Sequence, residues 1–90
     1  MKKFVIEREL PGAKQLTQAQ LQEIAINSCA AIDKLDAQYH WVQTFVVEDR
    51  LYCVHMAPDE ATIRLHAKEG GFPVTRVSEV LAIIDPTTSV

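Results

Sequence analysis

Three histidines and one cysteine carry most of the chemistry this chain could perform: His40, His55, His66 and Cys53. Imidazole nitrogen and thiolate sulfur suit nickel, zinc or copper and are poor ligands for magnesium or calcium. Cys53 and His55 stand two apart in an apolar, β-branched stretch, so on a strand they share one face. His40 opens the neighbouring stretch, and His66 follows on a helical pattern. The four are therefore candidate metal ligands, although their spacing matches no established metal motif. A purely structural role, with each ring bonded to a backbone carbonyl, is the competing assignment. Cys53 with a histidine base could form a nucleophilic pair, but no third, orienting group and no oxyanion hole are visible in the sequence. No catalytic residue is assigned.

The elements that must position these residues follow from periodicity. Phe4, Val5 and Ile6 mark a first strand, closed by Pro11-Gly12. Thr17 with Gln20 three residues on is a capping-box start. Leu21, Ile24, Ala25, Ser28, Ile32 and Leu35 then form one stripe on a helix, with Cys29 at its edge as a small core residue. Residues 41–47 and 51–56 are rich in β-branched and aromatic side chains around the polar Glu48-Asp49-Arg50, a hairpin. Regular pairing there puts His40, Val42, Thr44 and Val46 on one face with Leu51, Cys53 and His55. Trp41, Gln43, Phe45 and Val47 then share the other with Tyr52, Val54 and Met56. Pro58, Asp59 and Glu60 begin a second helix with Ile63, His66 and Ala67 inward, and Gly70-Gly71 ends it. Residues 74–84 supply a last strand before Asp85-Pro86.

The order βαββαβ is the split-βαβ arrangement of the α+β ferredoxin-like sandwich, a four-stranded antiparallel sheet with two helices on one face. One such domain accounts for residues 1–90. Both faces of the predicted sheet are apolar while the helices cover only one, so a homodimer through the other face is expected. The Cys53 and His55 face is expected under the helices, where His66 points. Trp41, Phe45, Tyr52 and Met56 would form the dimer patch. Glu60, Glu69 and Glu79 are expected in solvent. Gly70-Gly71-Phe72-Pro73 lacks phosphate-loop spacing and reads as a turn.

Composition excludes several function classes. The formal charge is −3 with nine basic residues in no block, which argues against nucleic acid as a partner. The longest apolar stretch, Val80 to Ile84, is too short to span a bilayer, so no membrane partner is expected. Two cysteines without C-x-x-C spacing, and an N-terminal sequence lacking a signal-peptide pattern, predict a cytoplasmic protein.

Several segments resemble a known family. They are F-V-I-E-R-E-L-P-G-A at 4–13, H-W-V at 40–42, L-Y-C-V at 51–54, H-A-K-E-G-G-F-P at 66–73 and V-S-E-V-L-A-I-I-D-P-T-T at 77–88. Together they look like a family of small bacterial proteins first catalogued as a domain of unknown function, with nickel-binding members of ferredoxin-like fold. The resemblance implies a dimer of such subunits that binds nickel. His40, Cys53 and His66 lie inside the matching segments, and His55 just outside one. The expectation is a small dimeric protein that sequesters or buffers a transition-metal ion, nickel before zinc. The alternatives are a small dimeric enzyme of monooxygenase or isomerase type using a histidine acid or base, and a purely structural interaction module.

Overall fold

The computed structural model describes residues 1–90. Four strands and two helices follow in the order β1 (Lys2–Glu9), α1 (Gln18–Asp33), β2 (His40–Val47), β3 (Arg50–Ala57), α2 (Glu60–Gly70) and β4 (Arg76–Glu79). The sheet is antiparallel throughout, with spatial order β2-β3-β1-β4. This is the ferredoxin-like α+β sandwich that the element order predicts.

The two central strands set the core. In β1, Phe4, Ile6 and Arg8 are buried at alternate positions, and in β3 Leu51, Cys53, His55 and Ala57 are. Their register pairs Phe4 with His55, Ile6 with Cys53 and Arg8 with Leu51, so both sets face the same side. Ile63 of α2 packs with the apolar members of that face, and the core continues to Ala13.

Local chemistry fixes the helix ends. The Thr17 side chain accepts from the Gln20 backbone N–H, and the Gln20 side chain accepts from the Thr17 N–H. Asp59 caps α2: its carboxylate accepts from the Thr62 backbone and hydroxyl, which holds its pKa below the ordinary aspartate value. Gly71 ends α2 at φ 68°, a left-handed conformation that glycine adopts without strain. Cys29, expected as a small core residue, is exposed on α1, while its neighbours Ser28 and Ala31 are the buried ones.

The edges depart from regular pairing. In β2 a bulge at Val42 intervenes between the Trp41–His55 and Gln43–Val54 pairs. The extra residue inverts the faces of everything before it. Trp41 lies on the helix side beside His55, and His40 pairs with Met56 on the opposite face. The predicted grouping of His40 with Cys53 and His55, and of Trp41 with Phe45 and Tyr52, is thereby corrected. At the other edge, β4 stops at Glu79 instead of running to Ile84. It runs antiparallel to β1, and its last hydrogen bond joins the Val80 N–H to the Lys3 carbonyl. Beyond that point the chain no longer pairs with β1, and Leu81, Ile83 and Ile84 are exposed.

Candidate functional site

Between the sheet and the helices, side chains from several segments meet around two imidazoles. His55 arrives from β3 and His66 from α2; each is 1% exposed, and their ring centroids are 5.1 Å apart. Tyr39, in the loop before β2, stacks on His66 at 4.8 Å and meets His55 edge-on at 5.2 Å. Phe72, just past the end of α2, also stacks with His66, at 5.6 Å. The Gly70-Gly71 ending makes that possible, since a Cβ on Gly70 would run into the Phe72 ring. The turn at 70–73 is thus one wall of the site.

Hydrogen bonding leaves specific atoms free. His66 Nε2 lies 3.2 Å from Ser28 Oγ and 3.3 Å from the Ser28 carbonyl. A carbonyl only accepts, so Nε2 carries the hydrogen and Nδ1 presents a lone pair. His66 Nδ1, His55 Nδ1 and the Tyr39 hydroxyl are all buried without a partner. Such orphaned atoms are rare in folded proteins and mark places where a ligand, ion or water completes the structure.

Burial, the adjacent His66 and the Arg8 charge push the His55 pKa down to about 3. Burial also lowers that of His66, with the Ser28 backbone bond opposing and Arg8 reinforcing. Tyr39 is held above its ordinary value by burial. Both imidazoles are therefore neutral at physiological pH, the form that ligates metals.

Arg8 and Tyr39 are members of this site that sequence reasoning missed, and Arg8 is the charged one. It is 2% exposed, and its Nη1 donates to the Pro73 carbonyl at 2.7 Å. Its Nε donates to Cys53 Sγ at 3.4 Å, and its guanidinium carbon lies 5.3 Å from the Phe72 ring centroid. The signal was present, because Arg8 continues the Phe4, Ile6 alternation.

Arg8, Ser28, Cys53, His55, His66 and Phe72 line a cavity of about 30 Å³. Of the four sequence-predicted ligands, the structure brings Cys53, His55 and His66 to this cavity and leaves His40 exposed on the far face of the sheet. Glu60, Glu69 and Glu79 are all in solvent. In donor chemistry the three residues fit a borderline transition metal. In geometry only the imidazole pair is adjacent, and no three His, Cys, Asp or Glu side chains converge as a ready-made metal group.

A four-stranded ferredoxin-like sandwich with a buried imidazole pair beside a thiol defines the class to which this chain belongs. More particularly, it belongs to the family described as nickel responsive protein SCO4226-like, whose model matches residues 4–80. Among solved structures, that of SCO4226 from Streptomyces coelicolor A3(2) matches with a TM-score of 0.72 at 22% identity, covering 91% of this chain and 99% of that one. At that identity the likeness shows the fold. None of the curated proteins matches. No helix is long and apolar enough to cross a membrane.

Proposed function

We propose that the chain binds a divalent transition-metal ion, nickel before zinc, and sequesters or buffers it rather than catalysing a reaction. His55 and His66 would supply imidazole nitrogen and Cys53 thiolate sulfur. One observation carries this reading: two buried, neutral imidazoles 5.1 Å apart, each with an unpartnered Nδ1, at a cavity that Cys53 also lines. Membership of a family described as nickel responsive favours nickel. His40 drops out of the donor set because the Val42 bulge turns it to the other face.

The test is elemental analysis of protein purified without an affinity tag, beside calorimetric titration with Ni²⁺ and Zn²⁺. His66→Gln should weaken Ni²⁺ binding at least ~10-fold, whereas removal of Glu69 should leave it unchanged. Absence of Ni²⁺ and Zn²⁺ binding by the folded, reduced protein at neutral pH would overturn the reading.

The same proposal includes a homodimer in a reducing, cytoplasmic setting. Support for pairing comes from the sheet face without helices, where Val5, Tyr52, Val54 and Met56 are only half-buried and Phe45 is 49% exposed. Phe45→Glu should convert the species seen by light scattering from a dimer to a monomer; a wild-type monomer at micromolar concentration would contradict the pairing. Both cysteines are free. A second reading, a small enzyme with a histidine base, draws on the apolar groove that adjoins the cavity.

A further inference from the structure

Arg8 is a buried cation without a counter-charge. None of the chain's four ion pairs includes it, although the inward positions of β1 hold its guanidinium away from water. A buried charge is costly unless it is paired, and a carbonyl, a thiol and the Phe72 ring offset only part of that cost. His55 lines the same cavity as Arg8 and its buried Nδ1 has no partner, so its ring is free to take part in a hydrogen bond there. A wall that is otherwise largely apolar therefore carries a cation and a free imidazole that can meet negative charge.

The groove that adjoins it is apolar and carries no charge. A second cavity of about 250 Å³ shares Ile24, Trp41, Thr44 and Leu51 with the first, and Leu21, Ala25 and Val46 complete its lining. It opens between α1 and β2, because α1 packs on α2 and stands clear of the edge strand. The bulge at Val42 contributes by turning Trp41 inward, where its indole N–H donates to Thr44 Oγ1 at 3.0 Å and the residue lines both cavities.

From a cationic inner cavity continuous with an apolar groove, we infer a binding site for a small organic monocarboxylate with an apolar tail. The carboxylate lies against Arg8 and the His55 ring, and the tail runs along Trp41, Ile24 and Leu21. Charge-assisted hydrogen bonds to a guanidinium favour a carboxylate over a neutral amide or alcohol. Size sets the rest: the inner cavity holds about two water-sized groups, enough for two carboxylate oxygens and too little for a phosphate ester. The groove is at the small end of organic ligand pockets, which admits a short chain and excludes a long lipid.

The experiment uses full-length protein freed of metal by a chelator, so it does not depend on the nickel proposal and either can fail alone. Calorimetry with octanoate should show saturable one-to-one binding, with octan-1-ol and acetate each at least ~10-fold weaker. Arg8→Gln, verified as folded by circular dichroism, should lose octanoate binding by a similar factor. Should that variant not fold, Ala25→Phe, on the half-buried rim of α1, should weaken octanoate at least ~10-fold by filling the groove. Equal binding of octanoate and octan-1-ol, no saturation at millimolar octanoate, or unchanged octanoate affinity in Ala25→Phe would each overturn the assignment.

Discussion

β3 and β2 are the two arms of one hairpin, eight residues each, and they behave differently. β3 is hydrogen-bonded on both sides, to β1 and to β2, and every inward residue from Leu51 to Ala57 is buried at alternate positions. β2 has a partner on one side only, carries the bulge at Val42 and buries nothing fully. Two neighbours hold a strand to a strict period of two, since any slip would break two ladders and turn the core face outward. One neighbour permits an extra residue, and the bulge re-aims the side chains before it. The site takes its imidazole and thiol from the constrained arm and its aromatic rim, Trp41, from the permissive one.

The largest effect expected from this contrast is in packing. Ile63 of α2 is fully buried against the β3 face. Ile63→Ala should destabilise by about 3 kcal/mol, because the cavity left cannot collapse against rigid central strands. Val46 of β2 is 40% exposed, and Val46→Ala should cost less than about 1 kcal/mol. Urea unfolding of the two variants compares the core packed on β3 with the edge strand; equal losses would show that β2 packs as tightly as the layer over β3.

The next effect is pH dependence, which belongs to β3 and α2. The folded-state pKa of His55 is depressed to about 3 from an ordinary 6.5, and that of His66 is lowered as well. Below pH 6.5 the unfolded chain binds protons that the native rings refuse, so stability is full above that pH and is lost progressively toward 3. His55 alone should cost about 1.4 kcal/mol per pH unit across that window. Urea midpoints between neutral pH and pH 5 should fall accordingly, and His55→Leu should flatten the fall. Proton competition with a metal at His55 is displaced well below the ordinary histidine range for the same reason.

A capping change should be smaller and confined to the layer that carries Ser28. Thr17→Ala removes one half of the capping box on α1 and should cost about 1 kcal/mol by thermal or urea unfolding. A loss near that size with Ni²⁺ affinity unchanged would show that the cap sets stability without tuning the site.

The legibility of the sequence follows the same division. The alternation in β1 and β3, the Thr17–Gln20 box, the Gly70-Gly71 stop and the inward aim of His66 are local rules that the tertiary structure leaves intact. The bulge at Val42 has no glycine or proline to announce it, so regular pairing was the natural expectation, and it misplaced His40 and Trp41. The length of β4 is set by its pairing with β1, distant in sequence, and periodicity within 74–84 carries no such information. Arg8 was hidden by the habit of assigning charge to the solvent face, although its position in the Phe4, Ile6 pattern was plain.

The smallest effect is the one that tests the bulge most sharply. His40 is exposed and paired with Met56 on the sheet face away from the helices. His40→Ala should therefore change stability by no more than about 0.5 kcal/mol, and it should leave Ni²⁺ affinity where it was. Under regular pairing the same residue would lie opposite Ala57 on the helix side, within reach of the imidazole pair, and its removal would strip a ligand. The comparison with His66→Gln makes the outcome decisive, since one substitution should weaken binding that the other leaves untouched. A parallel loss of Ni²⁺ affinity in both variants would mean that β2 runs without its bulge when metal is bound, and that the permissive arm of the hairpin has a second register.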